Sequence, residues 1–265
     1  MKEKIIQRVK ELFDSGKIKG FAALRRTGDH ISPFLFTNPD QLKDLSLGDK
    51  DRPGDARYPL AKLLSKAARE YPQDVFAILV RGCDERALWQ LIRDARVNPL
   101  YPRQIVMIGF SCPPELALEC ECHKPWPDSL VVGDKTPGVK FKEDNPGDLD
   151  LFDQIDLWMD SLNKCLKCFG CRNVCPVCGC LECTIEREVL VPQRELPPDP
   201  SFLITRAVHM VDRCVYCGLC EQACPAGIPL KALYRMAARA LGEGQSLPGL
   251  QRIPLSKGPE LFAVR

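Results

Sequence analysis

Residues 75–112 read VFAILVRGCDERALWQLIRDARVNPLYPRQIVMIGFSC. Val75 to Val80 is a short apolar run suited to a buried strand, and Gln104 to Phe110 is a second. Between them, Asp84 to Ala95 predicts a helix with Asp84 and Glu85 in its first turn, where carboxylates complement the helix dipole. A strand, helix and strand of this length predict a parallel pair joined by a right-handed crossover. The first half of the chain is therefore expected to be an α/β domain with a short parallel sheet. The same stretch carries Cys83 just after the first strand and Cys112 just after the second. In a parallel pair those two positions share one edge of the sheet, where open α/β folds place ligand sites.

Upstream, Ile5, Ile6, Val9, Leu12 and Phe13 recur at helical spacing, with Gly16 placed to end the helix. FAALRR and ISPFLFT flank a turn at Thr27, Gly28 and Asp29 and predict a hairpin. Leu60, Leu63, Leu64 and Ala67 give helical periodicity to the segment from Tyr58 to Tyr71. Downstream, Cys112 to Asp150 is rich in Pro and Gly and predicts loops followed by a linker. A helix from about Leu149 then places Phe152, Ile155, Trp158, Met159 and Leu162 on one side and delivers the chain to Cys165. An extended connection, VLVPQRELPPDP, leads on to helices over Phe202 to Val211 and Leu230 to Leu241, with a second group of cysteines between them.

At 265 residues and 45% apolar content the chain can bury a substantial core. It has no apolar run long enough to span a membrane and no secretion signal at its charged, amphipathic start, so a cytoplasmic location is expected. Lys plus Arg number 37 against 35 Asp plus Glu, which gives no electrostatic reason to expect a nucleic-acid partner. Fifteen cysteines in a reducing compartment point to metal ligation rather than disulfides. Eleven of them lie between Cys165 and Cys224.

Cys165, Cys168, Cys171 and Cys175 with Pro176 give C-x2-C-x2-C-x3-C-P, and Cys214, Cys217, Cys220 and Cys224 with Pro225 repeat it. Three thiolates spaced by two wrap three corners of a 4Fe-4S cube in one tight loop, and in two-cluster proteins the fourth cysteine of each run serves the other cluster. The expected ligand sets are Cys165, Cys168, Cys171 and Cys224 for one cluster, and Cys214, Cys217, Cys220 and Cys175 for the other. Zinc is the competing occupant, because C-x2-C pairs also build tetrahedral Zn sites. Three cysteines at two-residue spacing followed by Cys-Pro, twice over, favour iron and sulfide.

Residues from about 160 to 240 resemble a dicluster bacterial-type ferredoxin domain in all eight ligands and both prolines. With RCVYCGLCEQACPAGIPL, CLKCFGCRNVCPVCGCLEC and RGCDERAL...IGFSC, the chain is also similar to iron-sulfur beta subunits of formate dehydrogenases and deazaflavin-reducing hydrogenases, and to proteins associated with heterodisulfide reductases. The chain is read as an α/β scaffold domain over 1–150, an α+β ferredoxin-like domain over 151–245 and a tail over 246–265, and the resemblance implies an electron-transfer subunit of an anaerobic redox complex. Between Asp160 and Gln245 ten Lys and Arg face nine Asp and Glu, whereas small free ferredoxins of this type are usually acidic. A near-neutral surface steers a diffusing carrier poorly and suits a docked subunit.

Seven cysteines remain. Cys83, Cys112, Cys120 and Cys122 come from the rim of the α/β half, and four thiols are what a third 4Fe-4S cluster needs. Against that, free cysteine often packs as a small buried hydrophobe. Cys178, Cys180 and Cys183 could complete that site, form a separate one, or donate to cluster sulfides. Related beta subunits carry flavin, yet no G-x-G-x-x-G follows a strand here, and Asp84 and Glu85 would repel a phosphate at the only glycine-led helix start, so FAD is not favoured. His30, His123 and His209 are scattered. His209, Arg206, Arg213 and Lys167 lie near the cysteine loops in sequence, where they could tune a cluster or face a partner.

Overall fold

The computed structural model describes residues 1–49, 55–94, 100–140, 151–180 and 182–241. The expected tail, 246–265, lies outside them. The chain divides into two compact units: Met1–Lys142 with Val174–Cys180, and Glu143–Asn173 with Leu181–Arg265.

The first unit begins with helix α1 (Lys2–Asp14), which buries Ile5, Val9 and Leu12 at three- and four-residue spacing. Gly16 follows at φ +66°, a left-handed position that glycine takes without a Cβ clash. Strands β1 (Gly20–Thr27) and β2 (His30–Phe36) form the predicted antiparallel hairpin around Gly28. The two-residue strand β3 (Leu45–Ser46) adds to β1. Helix α2 (Leu60–Glu70) turns Leu60, Ala61, Leu64, Ala67 and Ala68 into the core.

Strand β4 (Phe76–Val80) is buried at every residue. Each of its larger side chains contributes roughly 2 kcal/mol by leaving water. Helix α3 (Gly82–Arg93) follows after one residue, so Cys83 sits inside its first turn, and strand β5 (Ile105–Phe110) runs parallel to β4 as expected. The Pro- and Gly-rich stretch, expected to be loops, contains helix α4 (Pro114–Glu119) and strand β6 (Leu130–Val132). β6 pairs parallel to β5 across an irregularity at Gly109 and Phe110. The sheet order is β2-β1-β4-β5-β6, so four neighbouring strands are parallel and the hairpin forms one edge.

The second unit is built from helices: α5 (Leu151–Leu162), α6 (Gly170–Asn173), α7 (Ser201–Met210), α8 (Leu219–Gln222) and α9 (Leu230–Ala240). Its core comprises Phe202, Leu203, Ala207 and Met210 of α7 with Leu230, Leu233, Tyr234 and Ala238 of α9. An α+β domain was expected, but no strand occurs among the described residues of this unit. Prolines 192, 197, 198 and 200 crowd the extended connection and withhold the backbone donors a strand ladder needs.

Candidate metal centres

None of the fifteen cysteines is joined in a disulfide. The two repeated loops share one backbone form. In the first, Lys167 and Phe169 have φ of 48° and 58°; at the equivalent places in the second, Tyr216 and Gly218 have φ of 52° and 76°. A non-glycine residue held there is strained by about 1–2 kcal/mol, so the loop must gain something by it. The gain is the aim of the amides. Lys167 N donates to Cys165 Sγ, Gly170 N to Cys168 Sγ and Tyr216 N to Cys214 Sγ, each at 3.4 Å. Concave runs of backbone N–H groups of this kind hold phosphates and iron-sulfur clusters.

Each loop runs into a short helix carrying its third cysteine, Cys171 in α6 and Cys220 in α8, both buried. Beyond them the two Cys-Pro steps turn alike: Cys178 N donates to Cys175 O, and Gly227 N to Cys224 O, both at 3.2 Å. Cys224 thereby returns to the first loop. Cys165, Cys168, Cys171 and Cys224 line a single apolar cavity closed by Phe169, Phe202, Leu203, Pro225, Ile228 and Leu230. Gly170 fits beneath it because a Cβ there would lie 3.1 Å from Ala223 O and 3.4 Å from Cys168 Sγ. Phe169 meets Phe202 edge to face, with centroids 5.3 Å apart.

Burial is the main influence on the thiols and disfavours their charged form. It raises Cys165 and Cys171, and it pushes Cys214 and Cys220 up to about 12. The opposing charge comes from Arg206, which is 4% exposed and donates to Cys171 O at 3.3 Å. It acts on Cys171, Cys214 and Cys220, and so serves both loops. For Cys165 the opposing charge is that of Lys167, whose ammonium also donates to Pro192 O at 2.6 Å and Gln193 O at 2.9 Å. His209 is exposed on α7.

In the first unit, Cys112, Cys120 and Cys122 are gathered with Leu116 in one buried cluster, and Cys83 is buried on α3. Arg81 Nη1 donates to Cys112 Sγ at 3.3 Å and Arg86 Nη2 to Cys122 Sγ at 3.7 Å. The sequence reading missed both arginines. The signal available was an Arg placed directly after a buried strand in RGC, and another three residues along the helix from Cys83. Asp84 caps its own helix by accepting from Arg81 N at 3.0 Å, and Glu85 accepts from Ser129 N at 2.9 Å, so the helix start expected to repel a phosphate is occupied by its own carboxylates.

Of the remaining trio, Cys178 and Cys183 are half-buried and Cys180 is exposed. Cys183 bonds with Arg172, which also pairs with Glu186. Cys175, Cys178 and Cys180 belong to the first unit, Cys183 to the second. Among the described residues, no three His, Cys, Asp or Glu side chains stand close enough about one point to hold a single metal ion. A cube with thiolates at its corners keeps its ligands further apart than the shared bonds of about 2.3 Å to one zinc would.

These loops define a class. Residues 207–229, which include Cys214, Cys217, Cys220 and Cys224, match the family described as the 4Fe-4S binding domain. Over 258 residues, 97% of this chain and 61% of the relative, it is 36% identical to the F420-dependent formate dehydrogenase subunit beta of Methanocaldococcus jannaschii. Over 57 residues, 21% of this chain and 14% of the relative, it is 47% identical to the F420-dependent formate dehydrogenase 1 subunit beta of Methanococcus maripaludis. The expected resemblance to iron-sulfur beta subunits therefore holds, although the chain spans about three fifths of the first relative's length. No helix among the described residues is long and apolar enough to cross a membrane.

Proposed function

We propose that this chain is an electron-relay subunit of a multi-subunit oxidoreductase of formate dehydrogenase type, carrying two 4Fe-4S clusters. The observation that carries the reading is the doubled loop, with strained residues at matching places aiming amides at cysteine sulfur and Cys224 lining the cavity of Cys165, Cys168 and Cys171. In this reading those four cysteines hold one cluster. Cys214, Cys217 and Cys220 hold three corners of the other, and the sequence motif assigns its fourth corner to Cys175.

Bound clusters supply one-electron transfer at potentials set by ligation, hydrogen bonds to sulfur and solvent exposure. The chain's own residues set those conditions. Phe169, Phe202, Leu203 and Ile228 keep water from the first set of thiols. The amides of Lys167, Gly170 and Tyr216 stabilise negative charge on sulfur, and Arg206 does so for both loops. The near-neutral charge of residues 160–245 supports a subunit docked within a complex over a diffusing carrier.

The test is anaerobic purification of the native complex, with iron, sulfide, zinc and flavin counted per chain and the accompanying subunits identified. About eight irons with matching sulfide, and a formate-oxidising partner, are expected. Stoichiometric zinc without iron would make the chain a scaffold protein, and stoichiometric flavin on the isolated chain would make it a flavin-bearing beta subunit that exchanges hydride equivalents with a soluble cofactor.

A further inference from the structure

The two repeated cysteine loops share a backbone form but differ in exposure. Leu166 and Val215 hold the same place, each directly after the first cysteine of its run, yet Leu166 is 59% exposed and Val215 3%. Two residues on, Cys168 is exposed and Cys217 half-buried. At the next place Phe169 is half-buried and Gly218 buried. The second loop is enclosed, and the first is open on one side.

That open side is the mouth of the cavity lined by the first set of thiols. Leu166, Cys168 and Pro225 all line the cavity and are all exposed, so they form its rim. Cys165 and Cys171 lie deeper and are buried. Cys168 is thus the ligand through which a cluster held here comes nearest to the surface. Electron tunnelling falls steeply with distance, so a redox partner gains most by meeting this cluster at Cys168.

The rim also says what kind of surface would meet it. None of the described residues that line the cavity is charged. Lys167, between Leu166 and Cys168, gives its ammonium to Pro192 O and Gln193 O, which ties the first loop to the connection that follows it. Within three residues of those carbonyls, Val189, Leu190 and Leu196 are exposed. Exposed apolar side chains gathered beside a cluster ligand mark a contact surface. Such a surface does not steer a charged partner, and its complement is an uncharged apolar patch held by burial.

We propose that the rim of Leu166, Cys168 and Pro225 docks a one-electron redox subunit through an uncharged, apolar patch, and that the first cluster exchanges electrons with that subunit. This rests on the two-cluster reading and adds which cluster faces outward and what chemistry meets it. When the first cluster gives an electron it is oxidised by one, and the partner's one-electron centre is reduced by one. The reverse transfer reverses both, and no bond or proton moves.

The iron-loaded full chain and the native complex, both kept anaerobic, test this with a neutral gadolinium chelate as probe. A paramagnetic ion that approaches a reduced cluster speeds its electron-spin relaxation. In the unaltered isolated chain the chelate should act on the cluster that Cys168→Ser alters and spare the one that Cys217→Ser alters. In the native complex it should reach neither. Leu166→Asp and Leu166→Lys should each lower the share of chain retained in the complex about tenfold, at low and high salt alike, with about eight irons still bound. Relaxation of the second cluster instead, or of the first cluster within the complex, would overturn the proposal. So would full retention of both variants, or opposite effects of the two, which would mean docking by charge. Iron well below about eight in the unaltered chain would instead overturn the two-cluster reading itself.

Discussion

Lys167 and Tyr216 hold the same place in the two cysteine loops: each is left-handed, at φ 48° and 52°, and each donates its amide at 3.4 Å to the cysteine sulfur two residues before it. The side chains differ in charge, size and surroundings, so the shared conformation belongs to the loop and not to them. A β-branched residue tolerates this region worst. Lys167→Ile and Tyr216→Ile should each destabilise the chain by about 1–2 kcal/mol and speed loss of iron, whereas Lys167→Gly and Tyr216→Gly should retain it. Thermal unfolding and iron-release rates under anaerobic conditions check both directions.

Gly82 sits where no side chain fits, with Lys124 O at 2.3 Å from any added Cβ. The obstacle is backbone and cannot swing aside. Gly82→Ala should cost about 1–3 kcal/mol. The loss should appear in thermal unfolding and leave the spectra of the C-terminal clusters unchanged.

Arg206 places one buried positive charge beside cysteines of both loops. Removing it favours the more oxidised, less negative state of each cluster. Arg206→Gln should therefore lower both C-terminal reduction potentials, by on the order of tens of millivolts, in an EPR-monitored redox titration. A shift in only one potential would place the arginine on one cluster alone.

Cys214 and Cys220, raised from 9.0 to about 12 by burial, are protonated at neutral pH in the metal-free chain. Ligation must release those protons, so each unit of falling pH should weaken cluster binding about tenfold per proton released. The metal-free fold has the opposite dependence. Keeping these thiols neutral stabilises it below the ordinary thiol range, and that stability is lost as pH rises from 9.0 through about 12. Iron retention should thus rise with pH while the melting temperature of the metal-free chain falls between about pH 9 and about pH 12.

The strand, helix and strand around Cys83 were legible because β4 and β5 are continuous apolar runs and α3 has a charged first turn. The doubled cysteine spacing was legible for a chemical reason, since a cube demands its ligands at short fixed separations. Strand β6 was not, because Leu130 to Val132 is three residues long and becomes a strand only through its pairing with β5. Arg81 and Arg86 were missed because local pattern treats a charged side chain as exposed, and only the fold reveals that the thiols partner them. The left-handed residues were hidden for a similar reason: Lys, Phe, Tyr and Glu have no preference for positive φ, and the loops impose it.

The central claim is a two-cluster relay in which each repeated loop borrows a ligand from the other run. The most direct measurement is EPR of the dithionite-reduced full chain, with iron and sulfide counted, for the unaltered chain and for Cys224→Ser. The account predicts at least about eight irons in the unaltered chain. It also predicts that Cys224→Ser alters the cluster that Cys168→Ser alters and spares the one that Cys217→Ser alters. If Cys224→Ser instead perturbs the cluster of Cys214, Cys217 and Cys220, or if iron and sulfide are near zero, the relay as drawn is wrong.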